Sequence, residues 1–241
     1  MIKIIASETA YDAGIAAAEV IANIVKENPT AVLGLATGSS PIGLYKELIR
    51  RNKEGEISFK NIKTVNLDEY YPLAPTHEQS YRYFMNDNLF DHIDIDKAKT
   101  FVPNGLTENP EEEGAAYDAA IEAAGGVDLQ VLGIGQNGHI AFNEPDDALI
   151  AGTHITSLTD DTIEANSRFF ASKADVPTRA FTMGIGSIMK AKKIILLANG
   201  ANKHAAIAQM LDDKITTQCP ATILKAHPDV YLFCDKAAYE G

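Results

Sequence analysis

His139 and Glu144 stand five residues apart in Gly133-Ile134-Gly135-Gln136-Asn137-Gly138-His139-Ile140-Ala141-Phe142-Asn143-Glu144-Pro145. A titratable imidazole and a carboxylate thus share a stretch whose glycines admit a ligand close to the backbone. A histidine held by a carboxylate shuttles protons near neutral pH. The same stretch contains a literal G-x-G-x-x-G, the fingerprint of a dinucleotide turn. That turn must open a helix, and Asn143, Pro145 and Gly152 break any helix here, so neither nicotinamide nor flavin is expected. A second acidic pair, Asp68-Glu69, precedes Tyr70-Tyr71-Pro72 and follows an apolar run at 62–67. A carboxylate beside aromatic surface suits proton abstraction next to a carbonyl or imine, and the competing reading is a solvated acidic turn.

Other residues suit a single phosphate. Thr37-Gly38-Ser39-Ser40-Pro41 brings a glycine and three hydroxyls to a helix start, where free N–H groups and the helix dipole favour an anion. Without the lysine of G-x-x-x-x-G-K-[ST] it is no nucleoside-triphosphate loop. Arg168, in Asn166-Ser167-Arg168-Phe169-Phe170, and Lys203, in Asn199-Gly200-Ala201-Asn202-Lys203-His204, could clamp the same phosphate, although each alone reads as a surface cation. No metal is expected, because no H-E-x-x-H and no cysteine cluster is present. His77, His92, His154, His204 and His227 read as surface or packing residues.

These residues follow short apolar runs. Strands are predicted at 2–6, 31–36, 62–67, 129–134, 181–184, 194–198 and 230–234. Helices are predicted at 9–26, 42–51, 80–90, 110–124, 160–170 and 201–211, with Ser40 as an N-cap and Pro41 at the first helical position. The βαβ rhythm implies an α/β fold: a doubly wound, mostly parallel sheet flanked by helices, three-layered and Rossmann-like. Such sheets bind ligands at the carboxyl ends of their strands, where Thr37 to Ser40, Asp68, His139, Glu144 and Lys203 are expected. One domain over 1–241 is expected, since no linker or repeat divides the chain.

Twenty-one Lys and Arg against 33 Asp and Glu leave a net charge of −12, which repels phosphate backbones and anionic lipid surfaces. No nucleic-acid or membrane partner is expected. Two unclustered cysteines, Cys219 and Cys234, and the lack of a signal peptide or apolar span point to a reducing, cytoplasmic setting.

Taken together, LGLATGSSP, TVNLDEYY, GIGQNGHIAFNEP, TIEANSRFF and the Lys203 loop resemble the glucosamine-6-phosphate deaminase family over nearly the whole chain. The resemblance implies a cofactor-free enzyme of amino-sugar catabolism that converts glucosamine 6-phosphate and water into fructose 6-phosphate and ammonium. It makes His139 the acid and base of ring opening, supported by Glu144 and Asn137, and Asp68 the base that moves a proton between C2 and C1. It places the phosphate on Ser39, Ser40, Arg168 and Lys203, beside Thr37 and the Gly38 backbone, and makes 154–183 a lid that carries Arg168.

Larger allosteric members of that family carry Asp where this chain has Asn137, so His139 should be less biased towards its protonated form. They also carry a C-terminal extension that this sequence lacks, and Ser, Arg and Lys where it has Asp147, His154 and Thr156. A non-allosteric enzyme, monomeric or of low oligomeric state, is expected. Two rivals stay open: a 6-phosphogluconolactonase-like hydrolase, which needs no C2–C1 base, and a non-catalytic sugar-phosphate sensor, which needs no acid/base set.

Overall fold

The computed structural model describes residues 2–167, 170 and 172–241. Strand β1 (Lys3–Ser7) leads to α1 (Ala10–Glu27). Thr9 starts that helix by accepting from the Asp12 N–H, and Ala13, Ala17, Ala18, Ile21 and Val25 put one apolar stripe into the core. Strand β2 (Val32–Leu35), apolar throughout, is buried on both faces, and α2 (Ile42–Lys53) packs across α1. Gly14 permits that crossing, since a Cβ there would stand 2.8 Å from the Leu44 nitrogen.

Next come β3 (Lys63–Asn66), β4 (Asp68–Tyr71), α3 (Tyr81–Asn88) and β5 (Thr100–Phe101). Helix α4 (Pro110–Ala123), with proline and three glutamates in its first turn, precedes the buried strand β6 (Leu129–Gly133). Then follow β7 (His154–Ser157), α5 (Asp160–Ser167), β8 (Arg179–Thr182), α6 (Ile185–Met189) and β9 (Ile194–Ala198). Helix α7 (His204–Leu211), β10 (Val230–Asp235) and α8 (Lys236–Glu240) complete the order.

Seven strands form a sheet in the order β1-β10-β9-β6-β2-β3-β5, every pair parallel. With helices flanking the sheet, the fold is the expected α/β class. Because β9, β6, β2 and β3 are parallel neighbours, the loops leaving their carboxyl ends lie side by side.

Four expectations need correction. Asp68 to Tyr71, anticipated as a loop, is a strand. At Leu67 the chain changes sheets: its N–H donates to Leu35 O at 3.3 Å, while its carbonyl accepts from the Met183 N–H at 2.6 Å. Strand β4 then pairs antiparallel with β8, and β8 with β7, giving a second sheet in the order β4-β8-β7. The run at 181–184, anticipated beside the parallel strands, therefore belongs to the small sheet. Finally, Pro41 rather than Ser40 holds the N-cap position of α2, without a side-chain cap, because Ser39 to Pro41 form a turn of their own in which the Ile42 N–H donates to Ser39 O. The helix anticipated at 201–211 is a single 3₁₀ turn, Ala201–Lys203, followed by α7. Within 154–183, β7 and β8 are paired strands and α5 lies between them.

Candidate active site

A cleft of about 1150 Å³ opens at the carboxyl ends of the central strands. Thr37, Gly38, Ser39 and Ser40 line it from β2, Asp68 from β4, Asn137 and His139 from the loop after β6, and Asn199, Asn202 and Lys203 from the turn after β9. These ten residues, scattered from 37 to 203, thus share one cavity. Glu144 stands behind His139. Arg168, the remaining expected phosphate contact, lies outside the described residues.

The loop after β6 is built to hold one imidazole. A Cβ on Gly135 would fall 2.4 Å from the His139 ring, and Gly138, at φ +84°, would drive a Cβ to 2.3 Å from Cys219 Sγ. Only glycine fits both places. His139 Nδ1 lies 3.0 Å from Glu144 Oε2, and the Asn137 amide donates to the same oxygen at 2.7 Å. The Asn137 carbonyl oxygen accepts from the His139 N–H at 3.2 Å, closing the loop on itself. An ionised carboxylate only accepts, so Nδ1 carries the proton and Nε2 presents its lone pair. Burial opposes the charge on Glu144. Hydrogen bonds from His139, Thr162 and Asn137 outweigh it and hold the carboxyl down at about 2.

Strand alternation separates the second acidic pair. Asp68 faces the cleft, whereas Glu69 faces a smaller cavity of about 190 Å³ beside Arg82 and Gly105. Asp68 is 6% exposed, and its Oδ1 has no hydrogen-bond partner among the described residues. Burial, and after it the charge of Glu69, pushes the Asp68 carboxyl up to about 8. Tyr70, Tyr81 and Phe142 form the aromatic wall beside it, with the Tyr70 and Tyr81 rings 4.8 Å apart. Glu69 is raised to about 7 by burial, against the pull of three backbone amides. Its Oε1 accepts from the N–H groups of Tyr70 and Tyr81, and its Oε2 from that of Arg82, which ties β4 to the start of α3.

The phosphate-type loops are bridged by a residue that sequence reasoning missed. The Asn199 amide donates to Ser40 O at 3.5 Å, and its own oxygen is buried without a partner among the described residues. Gly200, at φ +89°, donates its N–H to both carboxylate oxygens of Asp235, fixing the turn that carries Lys203. Among the described residues that line the cleft, Lys203 is the one cation. Thr162 was also missed, since a threonine in a helix carries no distinctive spacing, whereas Glu69 was noted only as the second acid of its pair. Among the described residues, no group of three or more His, Cys, Asp or Glu is placed to hold a metal ion, and no helix is long and apolar enough to cross a membrane.

The model of the family described as glucosamine-6-phosphate isomerases/6-phosphogluconolactonase matches residues 6–232. A glucosamine-6-phosphate deaminase of Clostridium perfringens (strain ATCC 13124) is 59% identical, covering 92% of each chain. One from Thermoanaerobacter pseudethanolicus is 56% identical over 92% of this chain and 88% of its own. A solved structure of a monomeric glucosamine-6-phosphate deaminase superposes with a TM-score of 0.96 at 42% identity, over 98% of both chains. A 6-phosphogluconolactonase from Trypanosoma brucei, 17% identical with a TM-score of 0.75 over 100% of this chain and 98% of its own, shares the fold.

Proposed function

The chain belongs to the family of glucosamine-6-phosphate isomerases and 6-phosphogluconolactonases, and on that footing we propose that it deaminates D-glucosamine 6-phosphate to D-fructose 6-phosphate and ammonium. One observation carries the reading: a histidine fixed by a carboxylate shares one cleft with a separate, buried carboxylate whose Oδ1 has no hydrogen-bond partner among the described residues.

The two groups suit two proton transfers. In ring opening, His139 Nε2 takes the proton of the anomeric hydroxyl and returns it to the ring oxygen, leaving an open-chain aldehyde. Glu144 stabilises the imidazolium that forms in between. Asp68 then takes the proton from C2 as O1 gains one, giving an enolamine, and delivers its proton to C1 while the amine nitrogen gives one up, so that the net shift is C2–H to C1 and N–H to O1 and the C2 amine becomes an imine. Water adds to that imine and ammonia leaves, which closes the balance as substrate plus water to ketose phosphate plus ammonium. A carboxylate with an oxygen unpartnered among the described residues and a raised proton affinity is suited to a carbon acid, because that oxygen's basicity is not spent on protein donors.

The phosphate would sit on the backbone and hydroxyls of Thr37 to Ser40 with Lys203, and Arg168 would complete the clamp. Helix α5, within the expected lid over 154–183, would close over it. We place the enzyme in the cytoplasm as a monomer or low-order oligomer, without a cofactor, a nucleic-acid partner or activation by an amino-sugar phosphate. The monomeric relative supports the oligomeric part of that reading.

The test is incubation of the chelator-treated protein with glucosamine 6-phosphate. Ammonia and fructose 6-phosphate are expected in equal amounts. No product overturns the assignment, and product only after metal addition overturns the cofactor-free part. Hydrolysis of 6-phosphogluconolactone without ammonia release from the amino sugar would favour the lactonase reading instead.

A further inference from the structure

Glu144 is held from two directions. Its Oε2 receives Asn137 and His139 from the loop after β6, and its Oε1 receives a donor from another element. Thr162, in α5 and 7% exposed, donates its hydroxyl to Oε1 at 2.5 Å. Thr159, in the turn before α5, accepts from the Thr162 N–H at 3.3 Å, and its hydroxyl lies 3.0 Å from Thr162 Oγ1 and 3.5 Å from Glu144 Oε1. An ionised carboxylate only accepts, so the proton of the nearer hydroxyl, that of Thr162, points to Oε1. Thr159, donating to Thr162 Oγ1, supports that arrangement.

We propose that Thr162 is a positioning residue for ring opening: its hydroxyl fixes Glu144 Oε1, so that Oε2 keeps the proton of His139 on Nδ1 and the lone pair of Nε2 towards the cleft. The inference rests on His139 and Glu144 being the proton-moving pair. It adds a condition to that reading, that α5 must be seated for the pair to be set. A carboxylate held through one oxygen can rotate about its last bond, and each rotation that removes Oε2 from Nδ1 lets the ring take the other tautomer or turn. Holding both oxygens removes that freedom. Because the second hold comes from α5, on the segment expected to cover the phosphate, binding at one end of the cleft would be coupled to readiness for chemistry at the other.

The experiment compares the wild-type protein with Thr162→Val, Thr162→Ser and Thr159→Val. Two readouts are taken: nitrogen NMR of the histidine rings in the unliganded protein, and steady-state ammonia release from glucosamine 6-phosphate. Wild type should show His139 in the Nδ1–H form. Thr162→Val, which keeps the shape and removes the donor, should mix in the Nε2–H form and lower kcat about tenfold, with KM within about twofold. Thr162→Ser should restore both. Thr159→Val, which leaves the Thr162 hydroxyl in place, should move both readouts the same way by a smaller amount, and it carries the test should Thr162→Val fail to fold. An unmoved tautomer overturns the proposal even where kcat falls, because that pattern belongs to general packing damage. If wild type releases no ammonia, the functional reading fails, while the NMR arm still decides whether Thr162 sets the ring.

Discussion

Asp68 and Glu144 are both carboxylates withdrawn from water at one site, and their surroundings drive them in opposite directions. Glu144 receives hydrogen bonds on both oxygens and stays ionised down to about 2. Asp68 has an oxygen with no partner among the described residues and a like charge beside it, and holds its proton up to about 8. Burial opposes the charge of both, so the donors and the sign of the neighbouring group decide the outcome. The lesson is a division of labour: the well-bonded carboxylate orients, and the poorly bonded one is free to react.

Replacing the reactive member should have the largest effect. Asp68→Asn is expected to lower kcat for ammonia release by roughly 10³-fold or more while raising Tm, since it replaces an unpaired buried acid with a neutral group of the same shape. A variant that is inactive and also less stable would break the contrast. Glu144→Gln should lower kcat by about 10²-fold and lower Tm, because an amide cannot accept on both oxygens and its NH₂ faces other donors.

Stability should separate the pair by pH. The raised Asp68 weighs against folding increasingly as pH climbs from its ordinary value near 3.8 to about 8, so the Tm advantage of Asp68→Asn should be absent at pH 4 and full above pH 8. The depressed Glu144 gives stability above about 4.5 that disappears as pH falls towards 2, so the Tm deficit of Glu144→Gln should vanish in acid. Thermal melts of the two variants against wild type between pH 3 and 8.5 would check both signs.

A smaller effect concerns the neighbour of Asp68. In the proposed reaction its ionised form is the base, so kcat/KM should rise with pH to a plateau above about 8. Glu69→Gln keeps an oxygen for the amides of Tyr70 and Tyr81, gives up the acceptor of the Arg82 amide, and removes the charge, and should move that acid limb down by about half a unit or more. An unmoved limb would assign the displacement of Asp68 to burial alone. The smallest effect is expected from Asn137→Asp, which sets a second acid against Glu144 Oε2, 2.7 Å from the present amide nitrogen, and should lower kcat by about tenfold.

Six strands of the parallel sheet were legible, the clearest as continuous apolar runs such as Ile194 to Ala198, which forms a strand over that same span, while the two-residue β5 was too short to mark itself. The small sheet was not. His154-Ile155-Thr156-Ser157 has too few apolar residues to mark a strand, and Asp68-Glu69 reads as a turn until antiparallel pairing with β8 supplies its partners. Asp68, Asn137, His139 and the residues 37–40 and 203 could be singled out because strand ends are where such folds place ligands, and the cleft lies there. Asn199 and Thr162 carry no such marker. Each matters through one hydrogen bond to a residue 159 or 18 positions away, and only the folded chain brings those pairs together.

The joint at Leu67 has a mechanical consequence. One residue is bonded to both sheets, through its N–H to β2 and through its carbonyl to the residue after β8, and Asp68 is next in the chain. A small rotation of the three-stranded sheet against the seven-stranded one has its fulcrum there. The residues beyond β7, at the opposite edge, swing through the widest arc, while the acid at the pivot barely moves. A turn of the small sheet about that joint would thus leave Asp68 facing the cleft.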